Sequence, residues 1–215
     1  MKTSTRWTIA VLVVLVALGA AFWMQMRDVP STGVAPAAGR DHRDADTPQA
    51  LAGPRARAAL PPCPPPGQGP GPQALGGITL QCVGDGAAVD VARALAGRTV
   101  VLNLWAYWCG PCADELPAMA EYQRRMGSDI LVVTVHQDEN EAAALLRLAE
   151  LGVRLPTLQD GRRLVAAALR VPNVMPATVV LRADGSVAGI LPRPFSNADE
   201  IAAAVSDKLG LGAAR

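Results

Sequence analysis

Two cysteines separated by two residues, Cys109 and Cys112, are the side chains of this sequence best suited to do chemistry. They follow an apolar run, 100–105, that predicts a buried strand, and the run 111–126 after them predicts a helix. A helix N-terminus carries partial positive charge and free N–H groups, which favour a thiolate over a thiol. The spacing also lets the second sulfur attack a mixed disulfide formed on the first. The pair is therefore predicted to be a dithiol/disulfide redox site.

Two other uses of a Cys-x-x-Cys pair fit this sequence less well. A structural zinc site normally needs four ligands, and the sequence has no second Cys-x-x-Cys and no His pair. A c-type haem site needs His directly after the second cysteine, where this chain has Ala113. We therefore expect no metal and no cofactor.

The composition sets the broad class of the protein. The 215 residues are 50% apolar and carry a formal net charge of +1. That length allows one ordinary domain with extensions. Because a nucleic-acid-binding protein usually shows a basic excess, no nucleic acid is expected as a partner.

One continuous apolar run, residues 7–26, lies near the N-terminus. A helix of that length spans about 30 Å, the thickness of the hydrocarbon core of a bilayer. Lys2 and Arg6 precede the run, and the positive-inside rule then puts residues 1–6 in the cytoplasm. This pattern predicts a transmembrane anchor, a single-pass protein of the cell membrane and an extracytoplasmic remainder. The alternative is a signal peptide cleaved near the small-x-small site Ala17-Leu18-Gly19, which also implies export.

Residues 27–74 are predicted to be a linker, because eleven of the 18 prolines fall there. A stretch so rich in Pro, Ala and Gly is not expected to bury enough apolar area to offset its ordering entropy. The folded domain is predicted over residues 75–215. Its apolar runs follow the order strand-helix-strand-helix-strand-strand-helix. That order predicts an α/β domain with a mixed central sheet flanked by helices.

Three runs of this sequence resemble those of one known family. They are Asn103 to Cys112, the Glu-Leu-Pro tripeptide at 115–117, and Met175 to Thr178 before a strand. Over about residues 75–210, the chain is similar to the membrane-anchored extracytoplasmic thioredoxin-like proteins of the TlpA/ResA family. The resemblance implies a thioredoxin-like fold and thiol:disulfide oxidoreductase activity. We also expect a monomer.

The resemblance assigns roles around the dithiol. Cys109 is expected to be the attacking thiolate and Cys112 the buried resolving thiol. Pro176 matches the family's cis-proline, and its backbone neighbour Met175 is then a substrate-contact residue, because that backbone pairs with a substrate strand. The alternative is an ordinary trans proline at a strand start. Further substrate contacts are expected from Trp108, Gly110 and Pro111.

A carboxylate close to the second cysteine is the candidate for proton transfer. Thioredoxin has a buried acid six residues before its first cysteine, but this chain has Asn103 there, which cannot accept a proton from Cys112. ResA-type proteins place a functional Glu three residues after the second cysteine, which is Glu115 here. One helical turn puts its carboxylate on the same face as Cys112. Glu115 is therefore predicted to be catalytic, and the alternative is that it sits on a solvated helix face.

The other two cysteines, Cys63 and Cys82, lie outside the redox motif. In an exported chain a bridge between them is the economical interpretation, so we expect a structural disulfide. The alternative is an internal relay, in which this pair exchanges with Cys109 and Cys112.

The leading functional hypothesis is a membrane-tethered reductase of protein disulfides outside the cytoplasm. Gly110-Pro111 between the cysteines is the dipeptide of reducing thioredoxins. The resemblance implies a membrane electron donor of the CcdA/DsbD kind and substrates such as those of cytochrome c maturation. One alternative is a DsbA-like thiol oxidase that donates its disulfide. The other is a non-catalytic copper-binding or assembly module.

Overall fold

A seven-stranded sheet lies at the centre of the computed structural model, which describes residues 46–211. In chain order the strands are β1 (Thr79–Cys82), β2 (Ala88–Asp90), β3 (Val100–Trp105), β4 (Leu131–His136), β5 (Thr157–Gln159), β6 (Ala177–Leu181) and β7 (Val187–Leu191). They lie side by side in the order β2-β1-β5-β4-β3-β6-β7. Neighbours among β3, β4 and β5 pair in parallel, and the other pairs are antiparallel. The predicted mixed sheet is therefore confirmed, although β5 was not among the predicted strands.

Helices cover both faces of the sheet. They are α1 (Pro48–Ala58), α2 (Val91–Ala94), α3 (Gly110–Met126), α4 (Glu141–Glu150), α5 (Leu164–Ala168) and α6 (Ala198–Leu209), with a 3₁₀ turn at Gln73–Leu75. Apolar side chains of α3, α4 and α6 form one core with one face of the sheet. Those of α2 and α5 form a second core on the opposite face. The fold is thioredoxin-like, as the resemblance implies.

The three central strands, β3, β4 and β6, are almost completely buried. β3 and β6 are buried at every residue, and β4 at all but its first. Strands covered on both faces read as continuous apolar runs rather than as alternating patterns, which is why these three are readable from sequence.

Helix α1 corrects the prediction of a Pro-rich linker. Thr47 caps it by accepting a hydrogen bond from the Ala50 N–H, and a proline occupies its first turn. Leu51 and Ala58 are buried against Leu145 of α4. The expectation that residues 27–74 form no packed structure is therefore wrong for α1, because a partner helix supplies the apolar surface that the stretch lacks.

The predicted transmembrane helix, residues 7–26, lies outside the described residues. Over residues 46–211, no helix has both the length and the apolar character needed to cross a membrane. The predicted fold class is corrected accordingly: over these described residues the structure shows a thioredoxin-like α/β fold with a mixed sheet and no membrane-spanning helix.

Candidate active site

The dithiol lies where β3 leads into α3. The Cys109 N–H donates to the Ala106 carbonyl at 3.1 Å, which closes the turn after the strand. Cys109 is the N-cap of α3, and its sulfur accepts a hydrogen bond from the Cys112 N–H at 3.3 Å. Pro111 lies in the first turn, where a missing N–H costs no helical hydrogen bond. The two sulfurs form a disulfide, 2.03 Å long.

The two cysteines differ in their access to solvent. Cys109 is 6% exposed, whereas Cys112 is 0% exposed. Gly110 and Pro111 between them are exposed. A reagent that approaches this surface therefore meets the Cys109 sulfur first, and Cys112 is reached only from within the protein.

Trp108 shapes the surface beside Cys109. Its side chain is 59% exposed, and its indole N–H donates to Asp138 Oδ2 at 2.9 Å. Asp138 in turn accepts from the Asn140 N–H at the start of α4. This contact joins positions 30 residues apart, so no local sequence pattern points to Asp138.

The proline before β6 lies at the same end of the sheet. The register pairs Leu104 with Ala177, so Pro176 adjoins the end of β3 that leads to the dithiol. The Met175–Pro176 peptide bond is cis, as the resemblance implies. Met175 is half-buried and packs against the core that contains both cysteines. The structure thus brings Cys109, Cys112, Pro176 and Met175 to one end of the sheet.

Glu115 is buried rather than solvated. Its side chain is 0% exposed, and both of its oxygens accept hydrogen bonds. Asn103 Nδ2 donates to Oε2 at 2.7 Å, and the Phe195 N–H donates to Oε1 at 3.2 Å. The alternative of a solvated helix face is therefore wrong for Glu115, although it holds for the exposed neighbour Asp114.

Burial controls the proton affinity of this carboxyl. Desolvation raises the pKa of Glu115 from 4.5 to about 7. The hydrogen bonds from Asn103 and Phe195 and the charge of Arg193 stabilise the carboxylate and act in the opposite direction. Glu115 is therefore poised to gain or lose a proton near neutral pH.

His136 has a structural environment. It is 0% exposed, its Nδ1 lies 2.9 Å from Gln159 Oε1, and its Nε2 accepts from the Tyr107 N–H at 3.4 Å. Desolvation lowers the pKa of His136, which favours the neutral ring that these contacts need. The ring also packs against Trp105, with centroids 4.9 Å apart, and Trp105 is core as expected.

Cys63 and Cys82 form a second disulfide, with Cα atoms 5.8 Å apart. The predicted bridge is therefore present, and it ties the segment after α1 to β1. Cys82 belongs to the core on the face opposite α3, and the partly buried Cys63 packs against that core. The sheet separates them from Cys109 and Cys112, so the arrangement does not favour a direct relay between the pairs.

Comparison with known proteins gives the same picture. Residues 70–205 match the redoxin family. ResA, a thiol-disulfide oxidoreductase of Bacillus subtilis, is 32% identical over 98 residues, which is 45% of this chain and 54% of ResA. Thioredoxin 1 of Synechococcus elongatus is 35% identical over 78 residues, or 34% of this chain and 69% of that protein. The chain thus spans about half the length of the ResA relatives that it matches.

A solved structure is also similar. It is a secreted disulfide oxidoreductase of Mycobacterium tuberculosis, described as homologous to E. coli DsbE. It is 25% identical, has a TM-score of 0.55, and the match covers 63% of this chain and 98% of that one. Since the family match alone extends over more than half of the sequence and includes both the dithiol and the cis-proline, this chain belongs to the redoxin family.

Proposed function

We propose that this protein is a thiol:disulfide oxidoreductase that acts on protein disulfides through Cys109 and Cys112. The observation that carries the proposal is the contrast between the two sulfurs. One caps a helix at the protein surface, and the other is fully buried, one helical turn from a buried carboxyl. The redoxin family membership and the similarity to ResA support the same chemistry.

The cycle begins at Cys109. The helix N-terminus and the Cys112 N–H stabilise a thiolate at Cys109 Sγ. This thiolate attacks a substrate disulfide, a Cys109–substrate bond forms, and the substrate S–S bond breaks with one substrate sulfur leaving as thiolate. Trp108, the chain neighbour of Cys109, and Met175, which packs against the core that contains both cysteines, are proposed to contact the substrate.

The second step is resolution by Cys112. Glu115 accepts the proton of the Cys112 thiol, and the resulting thiolate attacks Cys109 Sγ. The Cys109–Cys112 bond forms, and the second substrate sulfur leaves as thiolate. Because the pKa of Glu115 is raised to about 7 by burial, this carboxyl can exchange protons at neutral pH.

We further propose that the protein works as a reductase outside the cytoplasm. The Gly110-Pro111 dipeptide supports reduction of substrates rather than oxidation. The Cys63–Cys82 disulfide supports an oxidising compartment. A reductase needs an external electron donor for Cys109–Cys112, and a membrane donor of the CcdA/DsbD kind would supply it. Cytochrome c maturation and related redox-protein assembly are the proposed substrate context, by similarity to the TlpA/ResA type.

Trapping tests the chemistry. A Cys112→Ser variant of the full chain should accumulate mixed disulfides with protein substrates through Cys109. A reductant should cleave these mixed disulfides. The matched control is Cys109→Ser, which keeps one thiol but loses the accessible one and should trap nothing. Equal trapping by both variants, or by neither, would reject the proposal.

The reduction potential of the Cys109–Cys112 pair tests the direction. A value near that of thioredoxin, about −270 mV, supports the reductase, and a value near that of DsbA, about −120 mV, supports a thiol oxidase instead. Mass mapping after alkylation keeps the Cys63–Cys82 pair separate from the measurement.

A further inference from the structure

A row of buried polar side chains crosses the sheet beneath α3. The strand register places Thr178 of β6, Asn103 of β3, Thr134 of β4 and Thr157 of β5 at adjacent positions. Side chains at paired positions point to the same face of a sheet, and all four residues are 0% exposed. Because Asn103 contacts Glu115 of α3, the row lies on the face that this helix covers.

In one half of the row, the hydroxyls of Thr157 and Thr134 both have hydrogen-bond partners. Thr157 Oγ1 donates to the Leu155 carbonyl at 3.0 Å, and it lies 2.8 Å from Thr134 Oγ1. Since the Thr157 proton is already used, Thr134 donates to Thr157. The hydroxyl of Thr134 therefore has a fixed partner that does not involve Glu115.

In the other half of the row, Asn103 and Thr178 each have an oxygen without a hydrogen-bond partner among the described residues. Within residues 46–211, neither Asn103 Oδ1 nor Thr178 Oγ1 has a hydrogen-bond partner. Buried polar atoms seldom stay unpaired in native proteins, and those that do call for an explanation. Directly opposed residues of an antiparallel pair have Cβ atoms about 5 Å apart, so the two oxygens belong to side chains within reach of each other.

The carboxyl of Glu115 only accepts hydrogen bonds when it is ionised, but it also donates one when it is protonated. When it is ionised, Asn103 Nδ2 donates to Oε2 at 2.7 Å. When Oε2 takes up a proton, two donors face each other. A half-turn of the amide resolves the conflict, because Oδ1 then accepts from the carboxyl and Nδ2 turns towards β6. In that second orientation the Thr178 hydroxyl of β6 can accept from Nδ2, so both of the unpaired oxygens gain a partner.

We propose that the Asn103 amide reverses its orientation whenever Glu115 gains or loses a proton, and that Thr178 is the positioning residue that accepts from the amide when Glu115 is protonated. The inference rests on the proposed function, in which Glu115 takes the proton that leaves Cys112. In that step the Cys109–Cys112 bond forms, the Cys109–substrate bond breaks, and its electron pair leaves on the substrate sulfur. The amide switch then stabilises the protonated carboxyl until the proton departs.

Few other charges act on this switch. Arg193, in the loop after β7, and Glu200 of α6 are the charged groups that influence Glu115, and they are ion-paired with each other at 2.5 Å. On α3 itself, Cys109 and Cys112 titrate only when reduced. Measurements on the oxidised protein therefore isolate Glu115 from the thiols.

The decisive experiment follows proton–proton NOEs of the oxidised full chain by NMR while the Glu115 carboxyl carbon is titrated. Above the midpoint, the Asn103 NH₂ protons should show NOEs to the Glu115 side chain. Below it, those NOEs should weaken and new ones to the Thr178 methyl group should appear. Unchanged NOEs across a clear Glu115 midpoint would overturn the switch alone. Absence of a midpoint between pH 5 and 9 would overturn both the switch and the proposed role of Glu115.

Variants provide an independent readout. Below the Glu115 midpoint, Thr178→Val should speed solvent exchange of the Asn103 NH₂ protons about tenfold, and Thr178→Ser should restore the slow exchange. Thr134→Val is the matched control, because its hydroxyl belongs to the same row but bonds only to Thr157. Equal effects of Thr178→Val and Thr134→Val would reduce Thr178 to ordinary packing and overturn its role.

Discussion

Arg55 and Glu141 form an ion pair at 2.8 Å across 86 positions of the chain. The pair joins α1 to the first turn of α4, and Arg55 Nε also donates to the Val83 carbonyl at 3.1 Å. Glu141 is 3% exposed, and desolvation raises its pKa despite the contact with Arg55. Asp46 adds hydrogen bonds from the Glu141 and Ala142 N–H groups, so the segment before α1 caps α4 as well.

Removal of Arg55 should destabilise the protein strongly. Arg55→Met leaves the Glu141 carboxylate buried without its cation, which costs about 3 kcal/mol of unfolding free energy at pH 7. The cost should shrink at pH 5, because Glu141 without its partner takes up a proton more readily. Urea unfolding at the two pH values measures both effects. Arg57→Met on the exposed side of α1 is the control, with an expected change within about 0.5 kcal/mol, and similar losses in both variants would contradict the argument.

The Cys63–Cys82 bridge should contribute to stability without taking part in the redox cycle. A Cys63→Ser/Cys82→Ser double variant removes a link between residues 19 positions apart, which costs about 3 kcal/mol by chain entropy. Urea unfolding of the oxidised forms measures the loss. The reduction potential of Cys109–Cys112 should stay unchanged, because the two pairs lie on opposite faces of the sheet. A shifted potential would indicate that the pairs communicate.

Glu115 should make stability depend on pH. Its pKa is about 7 in the folded protein and near 4.5 when unfolded, so the folded state holds a proton that the unfolded state has lost between these values. The free energy of unfolding should therefore fall as the pH rises from about 4.5 to 7, by about 3 kcal/mol from this group. Glu115→Gln should remove this part of the slope. Urea unfolding of the two oxidised proteins from pH 4 to 8 gives the comparison, and parallel curves would refute it.

The same substitution should slow resolution of the mixed disulfide. In the proposed cycle Glu115 is the proton acceptor of Cys112, so without its carboxylate the step should slow by about 10²-fold at pH 7. Stopped-flow release of a disulfide-linked peptide from Cys109 measures the step directly. Glu121→Gln, at a partly exposed position of the same helix, is the control and should leave the rate unchanged. A rate in Glu115→Gln that matches the wild-type rate would assign proton transfer to another group.

Much of this fold is visible in the sequence, and the exceptions have a common cause. β3, β4 and β6 are readable because burial on both faces leaves continuous apolar runs. α1 was not readable, because only two of its residues are buried and its main polar partner, Glu141, lies 86 positions away. β5 has three residues, too few to show any periodicity. In each case the stabilising partner is distant in sequence, where local patterns carry no signal.

Some features of the site can likewise be predicted from the sequence, and others cannot. The dithiol, the proline before β6 and the helical spacing of Glu115 follow from short motifs. The burial of Glu115 does not, because it depends on Asn103 and on the Phe195 backbone, which reaches the carboxyl from 80 positions away. Spacing shows which face of a helix a residue occupies, but only the folded chain shows what covers that face.

The two outer strands of the sheet have a further consequence, which concerns self-association. β2 and β7 are its edges, with three and five residues. A bulge interrupts the pairing of β7 with β6, and Pro192, directly after β7, has no N–H to offer to an added strand. Little straight, unpaired backbone is thus available to a second copy of the chain. For the part of the chain that the structure describes, edge-to-edge aggregation is accordingly disfavoured.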